Sequence, residues 1–402
     1  MISNKQQLSA RNQQESMADK GLISKVTLFV TILFIFLMPW GDGLWDGTPR
    51  IAATISLGLS AILFLTQGTH KNYSFYHFFL VFYMAWQMLS LTWTSDLPYA
   101  LPIAKTTIQL LFLAIMFTIV IDTKAKIQYA YQAYVIGNVV GSFIIIYNYI
   151  HDIQSFYYGR YGITNIETDT LSVILAVSIP MAAYLASKPS NIILKLINLF
   201  AIPIVFYSIF LTGSRTGSIA GALGVFYWIF TYRKSSITTK GLIAVLMISS
   251  VVGIAAFSPK FLVDRVFSSG QSIQSGTLNS RTMIWGGALE QWRDVPLQGT
   301  GIGGLGDALS KLHIKYRDAH NTYIHILSEN GLVGLLFYLL IIISLFYYII
   351  HTPFEESAFL LTLLLTILVS QLATHTQTEK FLWFAFTMIA IHAQKYSNSQ
   401  QS

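Results

Sequence analysis

Apolar and polar positions along this chain do not alternate with the period of a strand or of a half-buried helix; they come in blocks. Uninterrupted hydrophobic stretches of about 17–22 residues recur, the length a helix rising 1.5 Å per residue needs to cross a hydrocarbon core. Twelve such segments are predicted, over 24–40, 50–66, 74–93, 102–121, 127–150, 168–187, 191–211, 217–232, 241–257, 331–350, 356–374 and 380–396. Short polar links join most of them. Two links are longer: residues 151–167, "HDIQSFYYGRYGITNIE", and residues 258–330, a segment of soluble composition. The expected architecture is therefore all-α: a polytopic integral membrane protein of about twelve transmembrane helices with one large external loop. Its parts are a tail over 1–23, helices one to nine over 24–257, the loop over 258–330, helices ten to twelve over 331–396 and a short tail over 397–402.

Composition supports the blocks. Across 402 residues, 53% are hydrophobic and only 11% charged, against about 25% charged in soluble domains. The net charge of +7 is spread over short loops, so it reports topology and not a nucleic-acid partner. With no cysteine, disulfides, thiolate zinc sites and thiol catalysis are excluded. Residues 1–23 lack a small-residue cleavage site after the first apolar run, which predicts a cytoplasmic tail entering a retained helix.

Lysine and arginine then set the orientation. With the N-terminus inside, thirteen of them flank the inner ends, whereas the short outer links hold five: Arg50, Lys105, Arg160, Arg215 and Lys380. The long loop, the Arg160 link and the Arg215 turn all fall on the outer face.

Candidate chemistry collects there. Arg215 sits in "FLTGSRTGSIAGALG" with almost no loop around it, and a cation so near hydrocarbon is expensive unless it snorkels or finds an anion. Either reading fits: a snorkelling helix-end arginine, or a guanidinium fork for a lipid-linked phosphate. In the long loop, "NSRTMIWGGALEQWRDVP" predicts a helix capped by Asn279 or Ser280, with Ile284, Ala288 and Trp292 on one face and Arg281 in its first turn. The following "GTGIGG" matches a dinucleotide-binding glycine spacing, but no strand precedes it and no βαβ unit surrounds it. A backbone that must pass close to something bulky explains those glycines better.

The stretch "RDAHNTYIHILSENGLVGLLFYLL" places Asp318, His320 and His325 at the foot of a helix starting after Asp318 or Asn321. His313, His320 and His325 lack metal-pair spacing, and no nearby acid completes a set. Free imidazole has a pKa of about 6.5, so His320 suits either a general base or a polar anchor at the membrane rim; His325, one turn deeper, reads as structural. No nucleophile elbow is present.

Four segments in order, "GRYGITNIETDTLSVILAV", "LTGSRTGSIAG", "SRTMIWGGALEQWRDVPLQGTGIGG" and "DAHNTYIHILSENGLVGLL", resemble the O-antigen ligase and O-antigen polymerase superfamily across about residues 158–345. That resemblance implies a membrane-embedded, GT-C-like glycosyltransferase of the bacterial inner membrane with its site facing the periplasm. It implies transfer of glycan from undecaprenyl-diphosphate to a lipid A-core acceptor, with inversion and without a metal ion, nucleotide sugar or other cofactor. Carried over by position, it makes His320 the base, Arg215 and Arg281 the catalytic cations on the diphosphate, and Arg160, Asp318, Asn321 and Tyr323 substrate-side residues. Glu379 is only an approximate counterpart of the family's late acidic position. A polymerase joining lipid-linked repeats shares most of these motifs. A twelve-helix lipid or glycan transporter would show repeated halves, which the chain lacks, and a non-catalytic glycan-binding subunit is a further alternative.

Overall fold

The computed structural model describes residues 21–44, 47–67, 73–188, 191–232, 240–241, 244–245, 248, 252–253, 256–257, 259–267, 281–314 and 318–397. Among these residues every regular element is helical. The elements are α1 (Gly21–Leu37), then α2 (Gly41–Leu44), α3 (Thr48–Gln67), α4 (Phe75–Leu89), α5 (Leu97–Val120), α6 (Lys124–Ile150), α7 (Thr168–Ser187), α8 (Ile192–Leu211) and α9 (Arg215–Thr231). After the ninth predicted segment come α10 (Lys260–Phe267), α11 (Arg281–Asp294), α12 (Leu305–Lys311), α13 (Thr322–Ile350), α14 (Phe354–Ser370) and α15 (Lys380–Ser397).

Six of these helices, α3, α5, α6, α7, α8 and α13, are long and apolar enough to cross a membrane. α1, α4, α9, α14 and α15 coincide with predicted segments but are shorter or less apolar. The predicted segment 241–257 falls largely outside the described residues.

α7 is the axis of the bundle: 94% of its most apolar window is buried, the expected state of a helix with no polar stripe. Its residues are small or β-branched at the contacts, and its partners approach closely. A Cβ on Gly217 of α9 would come within 2.3 Å of the Ser172 side chain, and one on Gly224 within 2.8 Å of Ile179 and Pro180. Small residues at helix contacts are how membrane helices gain van der Waals packing where burial in lipid supplies no hydrophobic drive.

α13 begins at Thr322, as expected for a helix starting after Asn321 and nine residues before the apolar segment predicted from 331, and is broken at Gly331, whose φ of 65° and ψ of −167° are non-helical. Hydrogen bonds from outside the helix bridge the break, since backbone groups freed in a buried place need partners. Carbonyls of Ser328, Glu329 and Asn330 accept from Thr300 N (2.9 Å), Gly301 N (2.8 Å) and Trp86 Nε1 (2.9 Å). Beyond the break, Leu332 N donates to Pro296 O (2.9 Å) and Val333 N to Leu297 O (3.2 Å). The glycine-rich segment therefore serves as the lining of a broken helix. Gly299, Gly301 and Gly303 all have positive φ, and a Cβ on Gly299 would meet the Glu329 backbone at 2.5 Å.

Candidate active site

The two ends of the bundle differ in chemistry. At one end Lys188 Nζ pairs with Glu356 Oε1 at 2.5 Å and His392 Nε2 with Glu356 Oε2 at 2.9 Å, all within a packed aromatic shell. At the other end lie the start of α7, the start of α9 and the start of α13, and with them the sequence candidates.

His320 occupies a left-handed backbone conformation, φ 46°, unusual for a residue with a Cβ. It is held by an Asx-type turn in which His320 N donates to Asp318 Oδ1 at 2.8 Å. The next residue, Asn321, caps α13: its Oδ1 accepts from Tyr323 N (3.0 Å) and Ile324 N (3.1 Å), and its Nδ2 donates to Leu372 O (3.0 Å). Thr322 N donates to Gln371 O (2.9 Å) and its hydroxyl to Thr374 O (2.8 Å). The foot of α13 is thus fastened to the turn between α14 and α15, and His320 projects from a fixed point. Tyr323 donates its hydroxyl to Leu368 O at 3.2 Å. Asn321 and Tyr323 therefore shape the site by holding the helix start.

That turn supplies a residue the sequence reading missed. His375 Nδ1 lies 3.4 Å from Asp318 Oδ2, His325 Nδ1 lies 3.7 Å from Asp318 Oδ1, and His325 Nε2 lies 3.3 Å from Glu329 Oε1. The two imidazoles stack with centroids 3.7 Å apart. Burial opposes ionisation of Asp318, but the His375 and His325 imidazoles hold its carboxyl well below the usual range. Burial and the charge of His325 push His375 down. The expectation that no acid completes a histidine set is corrected here: Asp318, His325 and His375 offer one donor atom each, all within 4.8 Å, and could hold a metal ion. Sequence spacing could not show it, because His375 comes from a different helix hairpin.

Arg160 is 3% exposed. Its Nε donates to Thr212 O at 2.6 Å and its Nη2 pairs with Asp169 Oδ1 at 2.7 Å, while Tyr161 N donates to Leu211 O at 3.1 Å. This arginine, expected as a third phosphate cation, bridges the 151–167 link, the end of α8 and the first turn of α7. Arg160→Met is expected to lower unfolding stability in detergent by about 3 kcal/mol, since it strands a partly buried carboxylate; an unchanged unfolding midpoint would remove that bracing role.

Asp169 gathers the remaining candidates. Besides Arg160 it interacts with the Ser214 side chain and with the charge of Arg281. Ser214 is the N-cap of α9, its Oγ accepting from Gly217 N at 3.2 Å, so Arg215 is the first residue of that helix. Arg215 and Arg281 are both half-buried. Arg281 opens α11, which buries Ile284 and Ala288 as the pattern predicted and leaves Trp292 half-buried; the proposed caps Asn279 and Ser280 lie outside the described residues. Trp285 Nε1 donates to Ala319 O at 2.8 Å, tying α11 to the residue before His320. Finally Glu167, N-cap of α7, is pushed up by desolvation and by the charge of Asp169, with His320 opposing and Asp318 adding to the rise. Arg160, Arg215, Arg281, Asp318 and His320 thus share one end of the bundle around the start of α7.

Fold and site together define a multi-pass, all-helical membrane protein that gathers guanidinium groups around the half-buried Asp169 carboxylate, with the His320 imidazole acting on Glu167, at a single end of its helices. Residues 199–339 match the family model described as O-antigen ligase, so this region, from α8 to the middle of α13, bears out the resemblance for the last three of the four motifs; the segment with Arg160 precedes it. That family implies a glycosyltransferase-like enzyme acting on glycans in a membrane, of the kind found in the bacterial inner membrane. No curated protein matches the chain.

Proposed function

We propose that this protein is an O-antigen ligase that moves glycan from undecaprenyl-diphosphate to the lipid A core on the periplasmic side of the inner membrane. The observation that carries the reading is the gathering of Arg281, Ser214–Arg215 and His320 around the start of α7, within the region that matches the family. In this reading the chain has twelve spans, with 241–257 as the ninth, in a GT-C-like arrangement.

The chemistry is a single displacement. An acceptor hydroxyl oxygen bonds to the anomeric carbon of the donor sugar while the bond from that carbon to the diphosphate oxygen breaks, so the configuration inverts. His320 takes the hydroxyl proton. The departing diphosphate gains charge, which Arg215 and Arg281 stabilise from fixed positions; prearranged cations of this kind are worth about 10²–10³ in rate each. No step calls for a metal ion or a nucleotide sugar. Asp318 fixes the backbone on which His320 stands.

Arg281→Lys separates fork from point charge. A two-oxygen contact with the diphosphate predicts at least about a tenfold loss of transfer, measured with purified protein and lipid-linked donor; retained activity would mean that charge alone suffices. Deleting the gene and running lipopolysaccharide on a gel tests the reaction itself. Loss of all long glycan with accumulation of lipid-linked polymer supports a ligase, whereas a core bearing a single repeat would make the protein a polymerase.

A further inference from the structure

A cavity of about 570 Å³ opens at the same end of the bundle, with Glu167, which feels the charge of His320, in its wall. None of the reacting groups above lines it. Its polar wall comes from four separate parts of the chain: Asp42 on α2, Arg50 on α3, Asn165 and Glu167 on the link before α7, and Glu379 with Lys380 at the start of α15. Met38, Ile166 and Ile174 contribute an apolar floor.

The wall is built and incompletely satisfied. Lys380 Nζ binds Asp42 Oδ2 at 2.6 Å, while Asp42 Oδ1 is buried without a hydrogen-bond partner. Asn165 holds a left-handed conformation, φ 63°. Burial pushes the Glu379 carboxyl up to about 7, with Lys380 opposing and the charges of Glu167 and Asp42 adding to the rise, so near neutrality this group both donates and accepts hydrogen bonds. Three carboxyls face two cations, a lining that offers both acceptors and donors to hydroxyls. The volume lies in the range of small-molecule sites, about 300–1,000 Å³.

The start of α7 stands between two compartments. Asp169 faces the arginines that suit a diphosphate, and Glu167 faces the cavity while also feeling the charge of His320. We propose that the cavity bounded by Asp42, Asn165, Glu167 and Lys380 is the acceptor subsite, and that it takes a hydroxyl-rich sugar and presents one hydroxyl to His320. The assignment rests on the transferase reading above and adds to it which substrate enters from which side.

The test uses full-length protein in lipid nanodiscs with a lipid-linked glycan donor and a lipid A-core acceptor, each varied separately. Asp42→Asn and Asn165→Gly are expected to raise KM for the acceptor by about tenfold, the loss of one hydrogen bond. Donor KM should stay unchanged. Asn165→Gly keeps the left-handed backbone and breaks no ion pair, so it guards against a folding defect in Asp42→Asn. Unchanged acceptor KM in both variants, or donor KM rising in parallel, would overturn the subsite while leaving the transferase reading standing. Absence of transfer by wild type would overturn the transferase reading, and the subsite with it.

Discussion

His320→Asn protein should insert and fold as wild type does and lose glycan transfer by about 10²–10⁴-fold, the usual worth of a positioned general base. Asparagine is the informative replacement. His320 sits at φ 46° with its amide on Asp318 Oδ1, and asparagine tolerates that left-handed conformation better than alanine does. His320→Ala mixes loss of the imidazole with backbone strain. The measurement is transfer by purified protein beside thermal unfolding of the same sample. Full activity in His320→Asn would remove the base from the mechanism, and a dead variant with a lowered unfolding midpoint would assign His320 to the fold instead.

The second large effect is on folding itself. Gly331→Ala is expected to prevent accumulation of folded protein. At φ 65° and ψ −167° the backbone is in a region open in practice only to glycine, costing about 1–3 kcal/mol for any other residue. The added methyl would also fall 2.2 Å from Leu297 O and 2.4 Å from Leu297 C. Those atoms cannot step aside, because Leu297 O accepts from Val333 N and Pro296 O from Leu332 N. Relaxing the clash by straightening α13 would strip the carbonyls of Ser328 and Glu329 of Thr300 and Gly301. Membrane-fraction yield and size-exclusion profile read the outcome; a monodisperse Gly331→Ala protein at wild-type yield would show that the break is dispensable.

Much of this was legible from residues alone, and the boundary is physical. Hydrophobic blocks located α7 at 168–187 without error because burial there is uniform along the helix. Hydropathy put the start of the apolar segment at 331, while the cap signal put the helix start after Asp318 or Asn321; what stayed hidden is the break at Gly331, whose flanking carbonyls are satisfied by loop backbone and Trp86, which no local pattern reveals. Asn321 was readable as a cap from its type and position. Asp169 was passed over at the polar start of α7; an acidic residue in the first turn of an otherwise buried helix was the available signal, and Arg160 is its partner. His375 gave no signal, because its contact with Asp318 depends on the α14–α15 turn folding back on α13.

The break at Gly331 divides α13 into two pieces. The upper piece is laced to residues 300–301 and to the turn at 371–376, and the lower piece, 332–350, is tied to the same two segments through Pro296, Leu297 and Gln371. Hydrogen bonds from outside the helix thus fall on both sides of the joint, so the angle between the two pieces is set by residues that neither piece contains.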